Sequence, residues 1–599
     1  MALQLRVSSL TKTTPSLLSS HNHNQSSISK AFLLSASPGV CKFASPSKSS
    51  TRSRQITTTR CLFGKGVVPA ANDVVEGVLD GVTTSIRSIS QPDRVKLDDF
   101  PLDFKFGAST SALQTEGSGS EGGRGPSTWD SFLQDFSVEG TETATNSYHK
   151  YKDDVKALKE MGMDAYRMSI SWSRLLPKGS LSGGINQEGI DFYNKFFQEL
   201  LDNGIEPFVT LFHFDLPTAL QTQYRGFLDK KIVDDFKDFA DLCFKNFGDK
   251  VKHWTTINEP QLFAMYGYRV SLSPTGDKLN DPYDAAHNII LSHAAAAKLY
   301  KRKYQAAQGG EIGISIVGQW FVPHSDSSRD KEAAERANDF MVGWFMEPLV
   351  YGDYPFIMRA LVRDNLPMFT DKEKEMVKDS YDFIGVNYYT ARYAKDIPFT
   401  REHKFTSTDK YQFVEQKVVL NCTTEEKNGV PIGPLPPAGG SESIYIYPAG
   451  LRDVLVYMKE RYENPSSTLL RMVSAISICT TKNWIPEGRN DSQPMEKALE
   501  DNHRIEVILS HLYAVREAMK KGVNMKGFFI WALLDCMEMG SAYNVRFGLY
   551  YTDYKNDCKR YPKKSAKWLR SYLEIDRLPQ EQPNENDTIE MEWDEMICE

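Results

Sequence analysis

The chain has 599 residues, of which 41% are hydrophobic, 25% charged and 12% aromatic. This composition is typical of a globular protein and excludes a mainly disordered or collagen-like chain. The formal net charge is −7 and no basic stripe is present, which argues against a nucleic-acid partner. No apolar run approaches the ~18 residues that a membrane span requires.

The N-terminal sixty residues differ in composition from everything that follows. Residues 1–60 contain 15 Ser, 7 Thr and 8 Lys or Arg, and the first acidic residue is Asp73. A Ser-rich, basic and acid-free N-terminus without a continuous apolar stretch is typical of a plastid or mitochondrial transit peptide. We therefore expect residues 1–60 to be removed and residues 61–97 to form an N-terminal extension. Loss of the eight basic residues would change the net charge from −7 to −15.

Residues 98–575 repeat one pattern, in which a short apolar run ends in polar residues and an amphipathic segment follows. Continuous apolar runs of this length are typical of buried parallel strands. The predicted strands are 103–109, 164–171, 207–213, 251–258, 311–318, 382–389, 475–483 and 525–535. Eight such units favour a single α/β domain, a (β/α)8 TIM barrel with long βα-loop insertions. A doubly wound sheet is the alternative, although no glycine-rich phosphate loop follows the first strand.

Polar residues follow the predicted strands, where the active site of such a barrel lies. They comprise amides, carboxylates, one imidazole and aromatic rings: Gln114, Glu116, Arg167, His213, Asp215, Asn258, Glu259, Asn387, Tyr389, Trp531, Asp535 and Glu538. Amides and carboxylates can make paired bonds to vicinal hydroxyls, and an indole face packs on sugar C–H groups. Carbohydrate chemistry is one interpretation of this set. The spacing is not that of a divalent-metal site.

The C-terminal end and the cysteines add little chemistry. Residues 576–599 are predicted to be an acidic tail, since residues 581–599 hold eight acidic and no basic residues. The eight cysteines form no CxxC pair, so neither a metal site nor a disulfide scaffold is indicated. Scattered thiols are typical of an intracellular compartment.

Several motifs in order resemble one enzyme family. The segment TTINEP (255–260) closely resembles the T-x-N-E-P signature of glycoside hydrolase family 1, the retaining β-glucosidases. FGASTSALQTEG (106–117), YRMSISWSRLLPKG (166–179), GIEPFVTLFHFDLP (204–217), GVNYYT (385–390) and VRFGLYYTDY (545–554) extend the resemblance. The plant members of the family, often plastid-targeted, look most similar. The resemblance therefore implies a plastid (chloroplast) enzyme that hydrolyses the β-glucoside of a plant specialised metabolite.

The resemblance also implies roles for individual residues. Glu259 matches the acid/base, which first protonates the leaving oxygen and then deprotonates water. Residues that match the contacts to the sugar ring are Gln114, His213, Asn258, Tyr389, Trp531, Glu538, Met539 and Phe547. Arg167 and Tyr389 match the pair that orients the nucleophilic carboxylate. No metal or organic cofactor is implied, the substrate is a small-molecule β-glucoside, no membrane partner is expected, and a homo-oligomer is left open.

The second catalytic carboxylate of the family is missing at its expected position. Family members carry a motif resembling I-T-E-N-G after the seventh strand, and a retaining mechanism needs its Glu about 5–5.5 Å from the acid/base. Here the segment reads ICTTKNWIPEG (478–488), and the best alignment puts Lys482 at the nucleophile position. An ammonium group cannot form the glycosyl ester, so Lys482 is expected to be non-functional. Substitution of the nucleophile by Glu487 or Glu463 is left open.

A displaced reading frame is one explanation for this loss. Residues 465–473 read PSSTLLRMV. If the reading frame is shifted so that translation begins at the third base of the Pro465 codon, the codons compatible with this segment can encode Leu-Ile-Tyr-Ile-Thr-Glu-Asn-Gly. We therefore hypothesise that a frame error, a mis-spliced junction or a frameshifted allele replaced residues 466–484. An evolved loss of the nucleophile, which would leave a non-catalytic glucoside-binding pseudoenzyme, is the alternative; a transglucosidase is a third interpretation.

Other positions depart from the family pattern near the expected aglycone site. Met539 stands where a Trp usually follows the glutamate, and Phe214 replaces the usual Trp of an F-H-W-D motif. Ser443 lies where an aromatic residue often closes the mouth, and the loop 271–282 is short. These differences predict an unusual aglycone site.

Overall fold

The computed structural model describes residues 95–135, 142–271, 280–397, 423–434, 444–462, 471–477, 494–539, 542–543 and 545–574. Its centre is a closed barrel of eight parallel strands in which each strand pairs with the next in sequence and the last pairs with the first. The strands are β1 Lys105–Ser109, β2 Ala165–Ser169, β3 Glu206–Phe212, β4 His253–Asn258, β5 Glu311–Val317, β6 Phe383–Tyr388, β7 Arg471–Ser477 and β8 Met525–Trp531. This confirms the (β/α)8 barrel and excludes the doubly wound sheet.

Helices surround the barrel because each presents an apolar face to it. In Gln187–Asp202, the buried residues Ile190, Tyr193, Phe197 and Leu200 recur every three or four positions, which places them on one face. The other long helices are Ser147–Glu160, Ile232–Phe247, Asp281–Lys303, Ser328–Asn338, Pro448–Arg461, Asn502–Lys520 and Lys564–Glu574. Shorter helices include Thr128–Asp135, Thr218–Tyr224, Trp344–Tyr351, Phe356–Val362, Asp371–Val377 and Met495–Leu499.

Small sheets extend the loops outside the barrel. Trp320–Pro323 pairs with Ala391–Ala394, which also pairs with Thr423–Thr424. Tyr550–Asp553 pairs with Lys559–Pro562, and Glu426–Lys427 pairs with Val430–Pro431. These additions lie in the βα loops and in the segment that follows β8, as the long insertions of the sequence predicted.

Side chains fill the barrel interior. Ala165, Phe208, Phe383 and Phe529, from four strands, form one buried cluster. Gly107 on β1 permits this packing, because a Cβ there would lie 2.6 Å from the Phe529 ring. The interior is therefore a packed core, and a ligand site can lie only above it, at the carboxyl ends of the strands.

The seventh strand differs from its prediction. The apolar run 475–483 was the expected strand, whereas β7 is Arg471–Ser477 and overlaps that run by three residues. Its register pairs Ala475 with Asn387 and Ser477 with Trp531. The prediction was wrong because local apolar content was used to place the strand, whereas pairing to β6 and β8 determines its position.

Candidate active site

Glu259 is held at the carboxyl end of β4 by an unusual turn. Its φ is +46°, a left-handed conformation, and Pro260 begins the short helix Pro260–Leu262 directly after it. The Glu259 N–H donates to the Ser315 carbonyl on β5 at 2.8 Å. The side chain is only 4% exposed. A carboxyl group is thus fixed at the mouth of the barrel, where the sequence predicted the acid/base.

Amide and phenol groups from β6 contact this carboxyl directly. Asn387 Nδ2 donates to Glu259 Oε1 at 2.8 Å and to Asn258 Oδ1 at 2.9 Å. The Tyr389 hydroxyl donates to the same Glu259 oxygen. Arg167 Nη2 donates to Asn258 Oδ1 at 2.5 Å, and burial lowers the pKa of the guanidinium to about 10, so it remains cationic at neutral pH.

The described partners of Arg167 and Tyr389 are Asn258 and Glu259, and the position of the nucleophile lies outside the described residues. The role of this pair in orienting a nucleophilic carboxylate stays a prediction. Lys482 lies outside the described residues, and the described seventh strand, Arg471–Ser477, contains no Asp or Glu. Within the described part of the chain, β7 therefore brings no carboxylate to this site.

A second polar group surrounds Glu538, in the segment after β8. Trp531 Nε1 donates to Glu538 Oε1 at 2.9 Å, and Gln114 Nε2 donates to Glu538 Oε2 at 3.3 Å. Gln114 also donates to the Met537 carbonyl at 2.6 Å. Desolvation raises the pKa of Glu538 to about 8, against the hydrogen bonds from Trp531, Cys536 and Gln114, which lower it. An indole face, an amide and a carboxyl group therefore meet within one hydrogen-bonded unit.

His213 contacts both sets of polar residues, the one around Glu259 and the one around Glu538. Asn258 Nδ2 donates to His213 Nε2 at 3.2 Å, and the imidazole lies nearly parallel to the Trp531 ring with 5.8 Å between centroids. Burial, assisted by the Arg167 charge, lowers the pKa of His213 well below its usual value. The ring is therefore neutral, and an accepting Nε2 requires the tautomer with its proton on Nδ1.

Aromatic and apolar side chains line the site beside these polar groups. Phe547 is buried against Trp531 and Ile444, and Tyr389 packs on the same cluster. Met539 is partly buried in the turn where the Glu538 and Ala542 main chains bond to each other.

Phe214 stacks on Phe263 with 5.7 Å between centroids and is partly exposed. Its φ of +74° is a second left-handed conformation at this end of the barrel. Ser443 lies outside the described residues.

Two residues make contacts that the sequence analysis did not predict. Asn387 was noted as a polar strand end, yet it bridges Glu259 and Asn258 and also accepts from Arg167 Nη1 at 3.4 Å. Cys536 Sγ lies 3.7 Å from Glu538 Oε1. The GVNYYT motif carries the signal for Asn387, whereas nothing in the sequence indicates the Cys536 contact.

The arrangement suits binding of a polyhydroxylated ring with proton transfer at one side. Neutral and charged donors face Glu259, while Trp531, Glu538 and Gln114 offer a flat apolar surface edged by hydrogen-bonding groups. No cluster of three or more His, Cys, Asp or Glu side chains suited to a metal occurs among the described residues. In the same part of the chain, no helix is long and apolar enough to cross a membrane.

Comparison with known families and proteins agrees with this geometry. The model of "Glycosyl hydrolase family 1" matches residues 96–577. The chain is 49% identical over 502 residues to the furostanol glycoside 26-O-β-glucosidase of Hellenia speciosa, covering 80% of this chain and 84% of that protein. It is 44% identical over 536 residues to the raucaffricine-O-β-D-glucosidase of Rauvolfia serpentina, covering 83% and 95%.

Solved structures show the same similarity. The rice Os3BGlu6 β-glucosidase superposes with a TM-score of 0.73 at 39% identity, covering 80% of this chain and 99% of that one. A mutant of the same rice enzyme, described in covalent complex with glucose, gives 0.73 at 38% identity, covering 80% and 99%.

Proposed function

Because the chain belongs to glycosyl hydrolase family 1, we propose that it is a retaining β-glucosidase of plant specialised-metabolite glucosides. The family and its β-glucosidase relatives make the chain an O-glycosyl hydrolase. The observation that carries the proposal is the joined pair of groups at the barrel mouth: Glu259 with its amide and guanidinium neighbours, and Trp531 with Glu538 and Gln114.

The proposed mechanism has two steps. In the first, Glu259 gives its proton to the glycosidic oxygen while a carboxylate attacks the anomeric carbon, so that the aglycone leaves and a glycosyl ester forms. In the second, Glu259 takes a proton from water, the water attacks the same carbon and the carboxylate leaves. Trp531 would support the sugar ring while Gln114, His213, Asn258 and Glu538 bond its hydroxyls. The covalent glucose complex of the rice relative supports a retaining mechanism.

We propose that the nucleophile is absent because the reading frame is displaced across residues 466–484. The helix Pro448–Arg461 and β7 are joined by residues 462–470, whereas such connections usually span about 2–6 residues. A restored Leu-Ile-Tyr-Ile-Thr strand would begin near residue 466 and shorten the connection. It is also richer in β-branched and aromatic residues than the Arg471–Ser477 strand.

The aglycone is proposed to be a terpenoid, phenolic or steroid. The names of two relatives state a furostanol glycoside and raucaffricine as substrates, which supports a specialised metabolite. The partly exposed Phe214 and Met539 offer apolar surface without an indole N–H. A steroidal glucoside is therefore the first substrate to test.

Plastid import is a separate proposal that rests on the Ser-rich, acid-free residues 1–60. A fluorescent protein fused after residue 97 should accumulate in chloroplasts. The same fusion without residues 1–60 should stay outside them. Equal distribution of the two fusions would contradict the proposal.

The proposed activity is tested by assaying two chains side by side: this chain and a frame-restored chain that carries Leu-Ile-Tyr-Ile-Thr-Glu-Asn-Gly after Pro465. The restored chain should release the aglycone from an aryl and a steroidal β-glucoside, with β-configured glucose as first product. This chain should bind the glucosides without turnover, since β7 as described contains no carboxylate. Transcript sequencing tests the origin of the segment: an unambiguous reading frame with no displaced Glu-Asn-Gly codons would favour an evolved glucoside-binding protein.

A further inference from the structure

Gln261 lies two residues after Glu259 and is buried completely, with 0% exposure. It occupies the short helix Pro260–Leu262 that the left-handed turn at Glu259 begins. A buried amide is costly unless both its ends are bonded, so its partners indicate what it holds.

Both ends of the Gln261 amide bond to main chain, and each reaches a different element. Gln261 Nε2 donates to the Met341 carbonyl at 2.9 Å. Its Oε1 accepts from the N–H of Val317, the last residue of β5, at 3.3 Å. With the bond from the Glu259 N–H to the Ser315 carbonyl, the turn is tied to β5 at two points.

The Met341 carbonyl belongs to an irregular part of its helix. Asp339–Gly343 is a π-helical segment between Ser328–Asn338 and Trp344–Tyr351. π-helical segments are rare and occur often at functional sites. A second one, Phe263–Ser271, begins two residues after Gln261. One π-helical segment therefore contains the Met341 partner of this amide, and the other begins two residues after Gln261.

A non-glycine residue in the left-handed region persists only where its surroundings determine it. The Gln261 side chain joins the Glu259 turn to β5 and to the π-helical segment Asp339–Gly343 at once. We propose that Gln261 is a positioning residue that fixes the direction of the Glu259 carboxyl toward the glycosidic oxygen. This inference rests on the proposed function of Glu259 as the acid/base.

The test uses a binding equilibrium that needs the Glu259 proton but no nucleophile. In glucoimidazole, a glucose-configured bicyclic inhibitor, a ring nitrogen lies where the glycosidic oxygen would lie and accepts a proton from the acid/base. Phenyl 1-thio-β-D-glucoside occupies the same subsites and accepts no proton in binding. Both Kd values are measured by calorimetry on the full chain, as it stands and with the frame restored.

Gln261→Met, which keeps the side-chain length and removes both bonds, should weaken glucoimidazole about 10- to 100-fold. The thioglucoside Kd should change by less than about twofold, because the sugar contacts are unchanged. Gln308→Met is the matched control: Gln308 donates to the Phe244 carbonyl at 2.8 Å, and Gly309 and Gly310 separate it from the start of β5. It should leave both Kd values unchanged. If Gln261→Met does not fold, Gln261→Asn, which is too short to reach both partners, should show the same selective loss.

Equal Kd values of glucoimidazole in the parent and the folded Gln261 variant would overturn the inference while leaving the glucosidase proposal intact. An equal loss for both ligands would also overturn it, because that result indicates general damage to the site. A parent chain that binds neither ligand would overturn the proposed function, and this inference with it.

Discussion

Individual carboxyl groups at the two ends of the barrel have pKa values shifted in opposite directions. At the amino end, the first residues of four strands contact one another: Lys105 forms an ion pair with Glu206 at 3.1 Å, and the His253 imidazole lies 2.7 Å from Glu206 and 3.6 Å from Glu311. Burial alone would raise the pKa of Glu206. The bonds from His253 and Lys105 outweigh it and lower that pKa to about 2.

At the carboxyl end, Asp535 pairs with Arg546 and Lys563, whereas Glu538 and Asp215 form no ion pair among the described residues. Burial raises the pKa of Glu538 to about 8 and that of Asp215 to about 7. Asp215 Oδ2 has no hydrogen-bond partner among the described residues. The comparison indicates that charge pairing stabilises Glu206 at the amino end, whereas desolvation raises the pKa of two carboxyls at the carboxyl end, of which Glu538 lies in the candidate site. Mutations at the two ends should therefore separate stability from activity.

Glu259→Gln should have the largest effect and should act on catalysis. In the frame-restored chain, kcat for an alkyl β-glucoside should fall by about 10²–10⁴, because the leaving oxygen loses its proton donor. A dinitrophenyl glucoside, whose leaving group needs no proton, should lose far less in the first step. Steady-state and burst kinetics check this. An equal loss for both substrates would contradict the acid role.

Glu206→Gln should affect stability and leave catalysis intact. The substitution removes the negative charge and one of the two acceptor oxygens, which should lower the free energy of unfolding by about 1.5–3 kcal/mol at pH 7, with kcat/KM changed by less than about twofold. Because the folded-state pKa is lowered, the Glu206 contribution is present above about pH 4.5 and is lost as pH falls toward 2.

Urea unfolding at pH 7 and at acidic pH measures the Glu206 contribution. Glu574→Gln is the control, since its pair with Arg570 is exposed and should contribute less than about 1 kcal/mol. If the Glu206 variant is as stable as the parent at pH 7, Glu206 does not stabilise the fold and the contrast with the carboxyl end of the barrel is contradicted.

Glu538→Gln should show the opposite pH dependence. The raised pKa means that the folded state keeps the proton which the unfolded state releases near pH 4.5, so the contribution to stability is lost as pH rises toward 8. Relative to the parent, the variant should gain at least about 1 kcal/mol between pH 4.5 and 8 while binding glucosides more weakly. Melting temperatures at both pH values and thioglucoside Kd values test this. A stability difference that is constant with pH would contradict a raised pKa of Glu538.

Met539→Trp should have the smallest effect, and only on binding. An added indole N–H beside Glu538 could contribute one hydrogen bond to the sugar, worth about 0.5–1.5 kcal/mol, which corresponds to a roughly two- to tenfold lower Kd for the thioglucoside. Phe214→Trp serves as the comparison, since Phe214 stacks on Phe263 and should affect the aglycone instead. Weaker glucoside binding by the Met539 variant would indicate that no space remains beside Glu538 for the larger indole.

Sequence reasoning predicted the barrel and the strand ends that carry polar residues, because strand periodicity and short motifs are local signals. Seven strands lie within a few residues of the predicted runs. The seventh strand begins four residues before the predicted run, and only residues 475–477 belong to both. The bridge from Asn387 and the bond from Tyr389 to Glu259 could not be predicted, since both depend on side chains that meet across the barrel.

The central claim is that this is a retaining β-glucosidase whose nucleophile is lost because the reading frame is displaced across residues 466–484. Intact-protein and peptide mass spectrometry after incubation with 2-deoxy-2-fluoro-β-D-glucosyl fluoride tests it most directly, because the reagent leaves a stable glycosyl ester on the nucleophile. The frame-restored chain should be labelled once, on the Glu of the restored Ile-Thr-Glu-Asn-Gly, and this chain should remain unlabelled. Labelling of this chain, at Glu463, Glu487 or elsewhere, would contradict the account, as would an unlabelled restored chain.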